Sequence, residues 1–261
     1  MGINATTSVP VYTSGDVLTA ANLNITNSGI PVFSTTTTRD NSFGGTGEKT
    51  LAEGQFAYIE ATDTTQYYNG SAWVTVGVTP GLVPITPTSI SVGSGTATSA
   101  GNGEVTFTGV GTNLSLNGVF SATYTNYMIL LSEQTASGSA NFQCRLRSGT
   151  TDNTNAVYDL AAVNCTQAGT VNGLGQNGLT QWGFDQNTYT YQNFNLTLFQ
   201  PFVTGFTNYT NLITENNGTT AFYAVLSTGQ HQENYSADGI SFLVNGGGTS
   251  TGKVSVYGYT K

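Results

Sequence analysis

The chain has 261 residues, of which 8% are charged, with a net charge of −8 and only six Lys or Arg. So little positive charge excludes the phosphate-tracking surface of a nucleic-acid-binding protein, and no stretch approaches the ~18 apolar residues of a membrane span. Polar character comes instead from 45 Thr, 33 Gly and 25 Asn, which suit half-wet pleated surfaces and tight turns, while 11% aromatic residues supply core material that a disordered chain lacks. These numbers predict an all-β fold.

Residues 1–30 form an N-terminal segment. Met1 to Pro10 has neither the basic nor the apolar region of a secretory signal. Ser14 and Asp16 are N-cap candidates for a short helix that carries Val17, Leu18, Ala20, Ala21, Leu23 and Ile25 and stops at Gly29. A helix this short needs a partner to pack on. Residues 31–78 predict a small β-hairpin and meander module. Phe56, Tyr58 and Ile59 mark one strand and Thr65, Tyr67 and Tyr68 the next. Asn69-Gly70 then signals a type I′ turn, and Ala72–Val76 returns.

Residues 79–103, with Pro80, Pro84, Pro87, Gly93, Gly95 and Gly101, predict a linker. From 104 to 261 an antiparallel, jelly-roll-like β-sandwich is expected, with strands at Val105–Thr108, Gly118–Tyr124, Tyr127–Glu133, Ala140–Ser148, Ala156–Val163, Tyr189–Phe199, Ala221–Ser227, Gly239–Val244 and Lys253–Tyr259. Met128 to Leu131 is apolar on both faces, which predicts a central strand. Phe222, Ala224 and Leu226 share one face of their strand, as do Ile240, Phe242 and Val244 of theirs.

Chemistry-bearing motifs are sparse. The single histidine, His231, falls in the polar run Gly229 to Asn234, which predicts an exposed loop without the partners of a triad or zinc site. Gly173-Leu174-Gly175 lacks the Lys-Ser/Thr of a phosphate loop and is expected as a turn. Asp152, beside Asn153, lacks the Gly and distal Glu of a calcium loop, and a turn is expected there too. Arg145 and Arg147 share a strand face and predict local salt bridges or a solvated face. Cys144 and Cys165 are expected as two free buried thiols, a bridge between neighbouring strands being the alternative. Asp152, Asp159, Asp185, Glu215, Glu233 and Asp238 are the acids that could pair for glycosidic cleavage. No catalytic residue, metal site or cofactor is expected. Trp182, Phe184, Tyr189 and Tyr191 crowd a Gln- and Asn-rich stretch, the pairing of aromatic faces with amides that sugar binding uses. Trp182, Tyr189 and Tyr191 are therefore the candidate ligand-binding residues.

Gly15-Asp16-Val17-Leu18-Thr19-Ala20-Ala21-Asn22-Leu23-Asn24 resembles the opening of many tailed-bacteriophage tail-fibre and head-fibre proteins. Arg39-Asp40, Gly54 to Tyr58 and the block from Asp63 to Val74 resemble a small β module of such proteins. Arg145 to Gly149, with Asp152-Asn153, and Gly252 to Tyr259 are similar to parts of their C-terminal sandwich. The resemblance implies a non-enzymatic structural protein, homotrimeric, made in the host cytoplasm and carried on the exterior of the virion. Residues 1–80 would join other virion proteins and the sandwich would be displayed toward host surface polysaccharide, without nucleic-acid binding or membrane insertion. A tail-fibre or receptor-binding-like spike is the first expectation, a head fibre or capsid decoration protein the second, and a polysaccharide depolymerase the third.

Overall fold

The computed structural model describes residues 13–17, 19, 29–45, 49–77, 81–138, 140–183, 191–216 and 222–260. It is all-β apart from two short helical turns and divides into two compact units, Met1–Thr79 and Pro80–Lys261. The helix expected over residues 14–28 falls mostly outside the described residues. Within 13–17, Asp16 closes a turn by accepting from the Thr13 N–H at 2.6 Å.

The first unit is a four-stranded sheet in the order β1 (Val32–Phe33), β2 (Phe56–Ile59), β3 (Thr64–Tyr68), β4 (Trp73–Thr75). Only β1 and β2 run parallel; the rest is the expected meander. A five-residue helix not anticipated from the sequence, α1 (Thr36–Asp40), follows β1. The Thr35 hydroxyl caps it by accepting from the Thr38 N–H at 3.1 Å. Phe33, Ala57 and Ile59 are its buried apolar residues, with Phe43 and Trp73 packed against them. Arg39 lies buried with its guanidinium 4.7 Å over the Trp73 ring. The hairpin at Asn69-Gly70 forms, but not through a type I′ turn. Gly70 alone takes a left-handed φ of +93°, and the Asn69 side-chain oxygen accepts from the backbone N–H groups of Ser71 and Ala72. The amide thus substitutes for the second left-handed residue, as in Asx turns.

In the second unit the strands are β5 (Leu82–Pro84), β6 (Ser89–Val92), β7 (Thr96–Ser99), β8 (Glu104–Val110), β9 (Asn113–Asn117), β10 (Asn126–Ser137), β11 (Asn141–Ser148), β12 (Thr151–Asp152), β13 (Tyr158–Thr166) and β14 (Val171–Leu179). They continue with β15 (Trp182–Gly183), β16 (Tyr191–Phe199), β17 (Gly205–Asn216), β18 (Phe222–Tyr235), β19 (Gly239–Asn245) and β20 (Thr249–Tyr259). A ten-stranded antiparallel sheet runs β14-β13-β18-β17-β16-β10-β20-β8-β7, with β5 also on β20; a six-stranded sheet runs β12-β11-β19-β9-β6, with β15 on β11. The two share one apolar core. Phe142 and Phe242 of the smaller sheet meet Phe194 of the larger at ring distances of 6.4 and 5.9 Å. The run from Met128 to Leu131 lies in β10, between β16 and β20, as its apolar pattern predicts.

Several expectations need correction. Residues 79–103 are not a linker: β5, β6 and β7 belong to the sandwich. Pro84 is accommodated at the end of the short β5, where an absent N–H interrupts little of the ladder. Residues 118–124 form no strand. Val119 and Phe120 are buried from a loop, and the preceding β9 carries the alternation through Leu114 and Leu116. Gly173 and Gly175 lie inside β14, an edge strand paired only with β13, where nothing packs on them. Both cysteines are free, but Cys165 is exposed because it points to the outer face of the large sheet. Arg145 and Arg147 do share the outer face of β11: Arg145 bonds Thr180 and Gln181, and Arg147, buried, lies 3.5 Å from Asp152.

Candidate ligand pocket

The three aromatic candidates separate. Trp182 is fully buried, edge-on to Tyr158 at 5.2 Å and against Tyr209 at 4.8 Å, with its indole N–H toward the Gln230 carbonyl at 3.4 Å. It has no open face for a ligand, so its role is in the core: the alternation of β15 turns it inward. Gly229 makes room for this cluster, since a Cβ there would strike the Tyr209 ring. Tyr189 lies outside the described residues. Tyr191 opens β16, and its backbone pairs with Asn216.

His231 is likewise no loop residue. It sits in the middle of β18, with no exposed surface, edge-on to Tyr158 at 4.7 Å. Neither ring nitrogen has a hydrogen-bond partner, and burial holds its pKa below the ordinary value, which keeps the imidazole neutral.

The acids expected as possible pairs are mostly structural. Asp152 faces Arg147, Asp238 accepts from the Gly149 N–H at 2.9 Å, and Asp159 accepts from the Gly178 N–H at 2.9 Å. Glu233 accepts from Asn153 at 2.6 Å and from Asn155, and these bonds hold its carboxyl below the usual range. Asp185 lies outside the described residues.

Glu215 is different. On the inner face of the large sheet, Thr166, Tyr223, Glu215 and Gln192 stand opposite one another on β13, β18, β17 and β16. Gln192 and Glu133 come one residue past the last ladder pair of β16 and β10, Asn193 with Ser132. The row therefore continues to Glu133. The Gln192 backbone N–H donates to Glu133 Oε2 at 2.6 Å, and its side-chain Nε2 donates to Glu215 Oε1 at 2.6 Å. Gln192 Oε1 accepts from the Phe142 N–H at 2.6 Å, which fixes the amide orientation. Glu133 and Glu215 are 6% and 1% exposed. Burial is the main cause that pushes the Glu133 carboxyl up to about 7.

A cavity of about 290 Å³ is lined by Glu133, Asn193, Thr214, Glu215, Asn216 and Phe222. Asn193 pairs with Thr214, and Asn216 with Phe222. Phe222 is 46% exposed. Asn193, Thr214, Asn216 and Phe222 alternate with the inward row, so the cavity offers one open aromatic face, two amides and a hydroxyl on the outer face of the sheet, and Tyr191 occupies the register position next to Asn216.

Of this group, the sequence reading named Tyr191 and Glu215 and missed Glu133, Gln192 and Phe222 as site residues. A signal for two of these was present. Tyr127, Ile129, Leu131 and Glu133 alternate, as do Gln192, Phe194, Leu196 and Leu198. A polar residue that continues an apolar alternation points into the interior, and must find company there. No family model, curated protein or solved structure matches the chain.

Proposed function

We propose that the chain is a structural protein of a tailed-bacteriophage particle, displayed on the virion exterior, whose sandwich adheres to host surface glycans as a tail fibre or receptor-binding-like spike does. The observation that carries this reading is the cavity at the end of the large sheet. Phe222 offers an apolar face for a sugar ring, and Asn193, Asn216 and Thr214 offer donors and acceptors for its hydroxyls. The resemblance of residues 15–24, 54–58 and 63–74 to fibre proteins supports placement on a particle. Assembly as a homotrimer belongs to the same proposal. Val163, Leu226 and Leu212 stand side by side on the outer face of β13, β18 and β17, each about half exposed or more. That apolar row is surface a neighbouring copy would cover.

The test is binding of the fluorescently labelled full chain to host cells, alongside immunogold labelling of intact particles. Wild-type protein should label cells, and Phe222→Ala should lower that labelling about tenfold, the ~1.4 kcal/mol scale of one stacking contact. Gold on the particle with no cell labelling by wild-type protein would sink the adhesive reading and favour the head fibre or decoration role. Release of reducing ends from host polysaccharide would favour the depolymerase instead.

A further inference from the structure

Seven Asn-Gly pairs punctuate the chain. Glycine has no Cβ to keep its backbone nitrogen away from the preceding side-chain amide. Attack of that nitrogen on the amide carbon closes a five-membered ring, and the rate depends on whether the fold brings the two groups together. Asn217 lies outside the described residues, and at five of the other pairs the fold engages one group or the other. Asn69 Oδ1 accepts from the N–H groups of Ser71 and Ala72, beyond Gly70. Asn102 Oδ1 accepts from the Glu104 N–H at 3.1 Å, and Gly103 is buried against Pro84 and Ile85. Asn117 is 6% exposed, and its amide nitrogen donates to the Ser89 hydroxyl at 2.8 Å. Asn172 and Gly173 are held extended in β14 by their pairing with β13. After Asn177, the Gly178 N–H donates to the Asp159 carboxylate at 2.9 Å, which opposes loss of its proton.

Asn245 is placed differently. It ends β19 on the surface, and its Oδ1 accepts from the N–H of Gly246 itself at 2.9 Å. The side-chain carbonyl therefore already lies against the nitrogen that would attack it. Gly246 and Gly247 follow at φ +100° and +80°, in an exposed turn open to water.

We propose that Asn245 is a site of intramolecular deamidation in the folded protein. The Gly246 nitrogen gives its proton to solvent hydroxide and bonds to Asn245 Cγ. Asn245 Nδ2 then takes a proton from water and leaves as ammonia, and a cyclic imide remains. Water opens that imide at either carbonyl, which yields aspartate or an isoaspartate whose main chain runs through the former side chain. Nothing is oxidised or reduced: one amide and one water become a carboxylate and ammonium. The product carries a new negative charge at the turn between β19 and β20. Where isoaspartate forms, one extra backbone atom enters at the position that pairs with Asn141. The inference is independent of the glycan reading, because the reaction needs only the chain and water.

The experiment is timed incubation of the full-length wild-type protein in mildly alkaline buffer, native and in parallel in concentrated urea. Peptide mass mapping reads the exchange of NH2 for OH at each asparagine, and fragmentation spectra separate aspartate from isoaspartate. In the native protein Asn245 should convert at least about tenfold faster than Asn69 or Asn102, the other exposed turn asparagines. In urea that advantage should vanish, since it comes from the fold. Native conversion of Asn69 or Asn102 as fast as that of Asn245 would overturn the proposal. So would an advantage that persists undiminished in urea, which would assign it to local sequence. The comparison is internal to one chain, so no variant has to fold.

Discussion

The two units are built from the same kind of chain, rich in Thr, Gly and aromatic residues, yet they hold themselves together differently. In the first, three described apolar residues are buried together, Phe33, Ala57 and Ile59. The remaining order comes from side-chain devices at the surface of that small core: the Thr35 cap, the Asn69 amide in its turn, and Arg39 laid over Trp73. In the second, thirty described residues from two sheets form one buried cluster. A small sheet cannot bury enough apolar area, so polar contacts must stabilise it, each worth about 1 kcal/mol. A sandwich spends its polar residues elsewhere, and can tolerate unsatisfied groups inside, such as the His231 ring and the Asn211 amide.

Truncation should sharpen this contrast most. A fragment of residues 80–261 retains every strand of the sandwich and should fold with a cooperative melt. A fragment of residues 104–261 loses β5, β6 and β7, uncovering β8 and β9 at the edges of both sheets. It should aggregate, or melt far lower by circular dichroism. Equal melting temperatures for the two fragments would restore the linker expected from the prolines.

The next largest effect is in the shared core. Phe142 touches Phe107, Phe194 and Phe242, and Phe142→Ala should cost about 3–5 kcal/mol in chemical denaturation. Proteolytic sensitivity of residues 31–77 should stay unchanged.

Protonation of Glu133 gives an effect of up to about 3 kcal/mol, and His231 acts in the opposite direction. The Glu133 carboxyl rises from 4.5 to about 7 on folding. Its contribution is complete below about 4.5 and is lost as pH rises through 7. His231 is depressed, so its contribution is present above about 6.5 and is lost as pH falls below that. Stability of the sandwich should therefore pass through a maximum on the acid side of neutrality. Glu133→Gln should remove the alkaline limb alone, which urea denaturation at pH 6 and pH 8 would reveal.

The smallest effect belongs to the first unit. Gly70→Val places a β-branched residue at φ +93°, at a cost of about 1–2 kcal/mol. With so small a core, that should suffice to expose residues 31–77 to protease and leave the sandwich melt unmoved.

Periodicity carried most of the fold. Ile240, Phe242 and Val244 alternate and are buried; Phe222, Ala224 and Leu226 alternate just as strictly, and Phe222 and Leu226 are 46% and 61% exposed. Alternation shows that residues share a face, but whether a face is covered depends on whether another sheet reaches it. The smaller sheet has six strands against ten, so it cannot cover both sides of its partner. The same limit hid the pocket, whose members lie on β10, β16, β17 and β18 and meet only through register. His231 and Gly173 were misread for a different reason: polar and glycine-rich runs look like loops, but around the buried His231 the polar neighbours Gln230 and Gln232 are the outward half of a long strand, and Gly173 lies on an edge strand.

The chain has two tryptophans, and each unit holds one. Trp182 is enclosed by Tyr158 and Tyr209, while Trp73 lies partly open beneath the Arg39 guanidinium. Two indoles in such different surroundings act as separate optical labels: a blue-shifted emission that reports the sandwich, and a redder one, altered by the adjacent cation, that reports the small sheet. Trp73→Phe would leave Trp182 as the only indole, so the unfolding of the sandwich becomes readable from one fluorescence trace without any added dye.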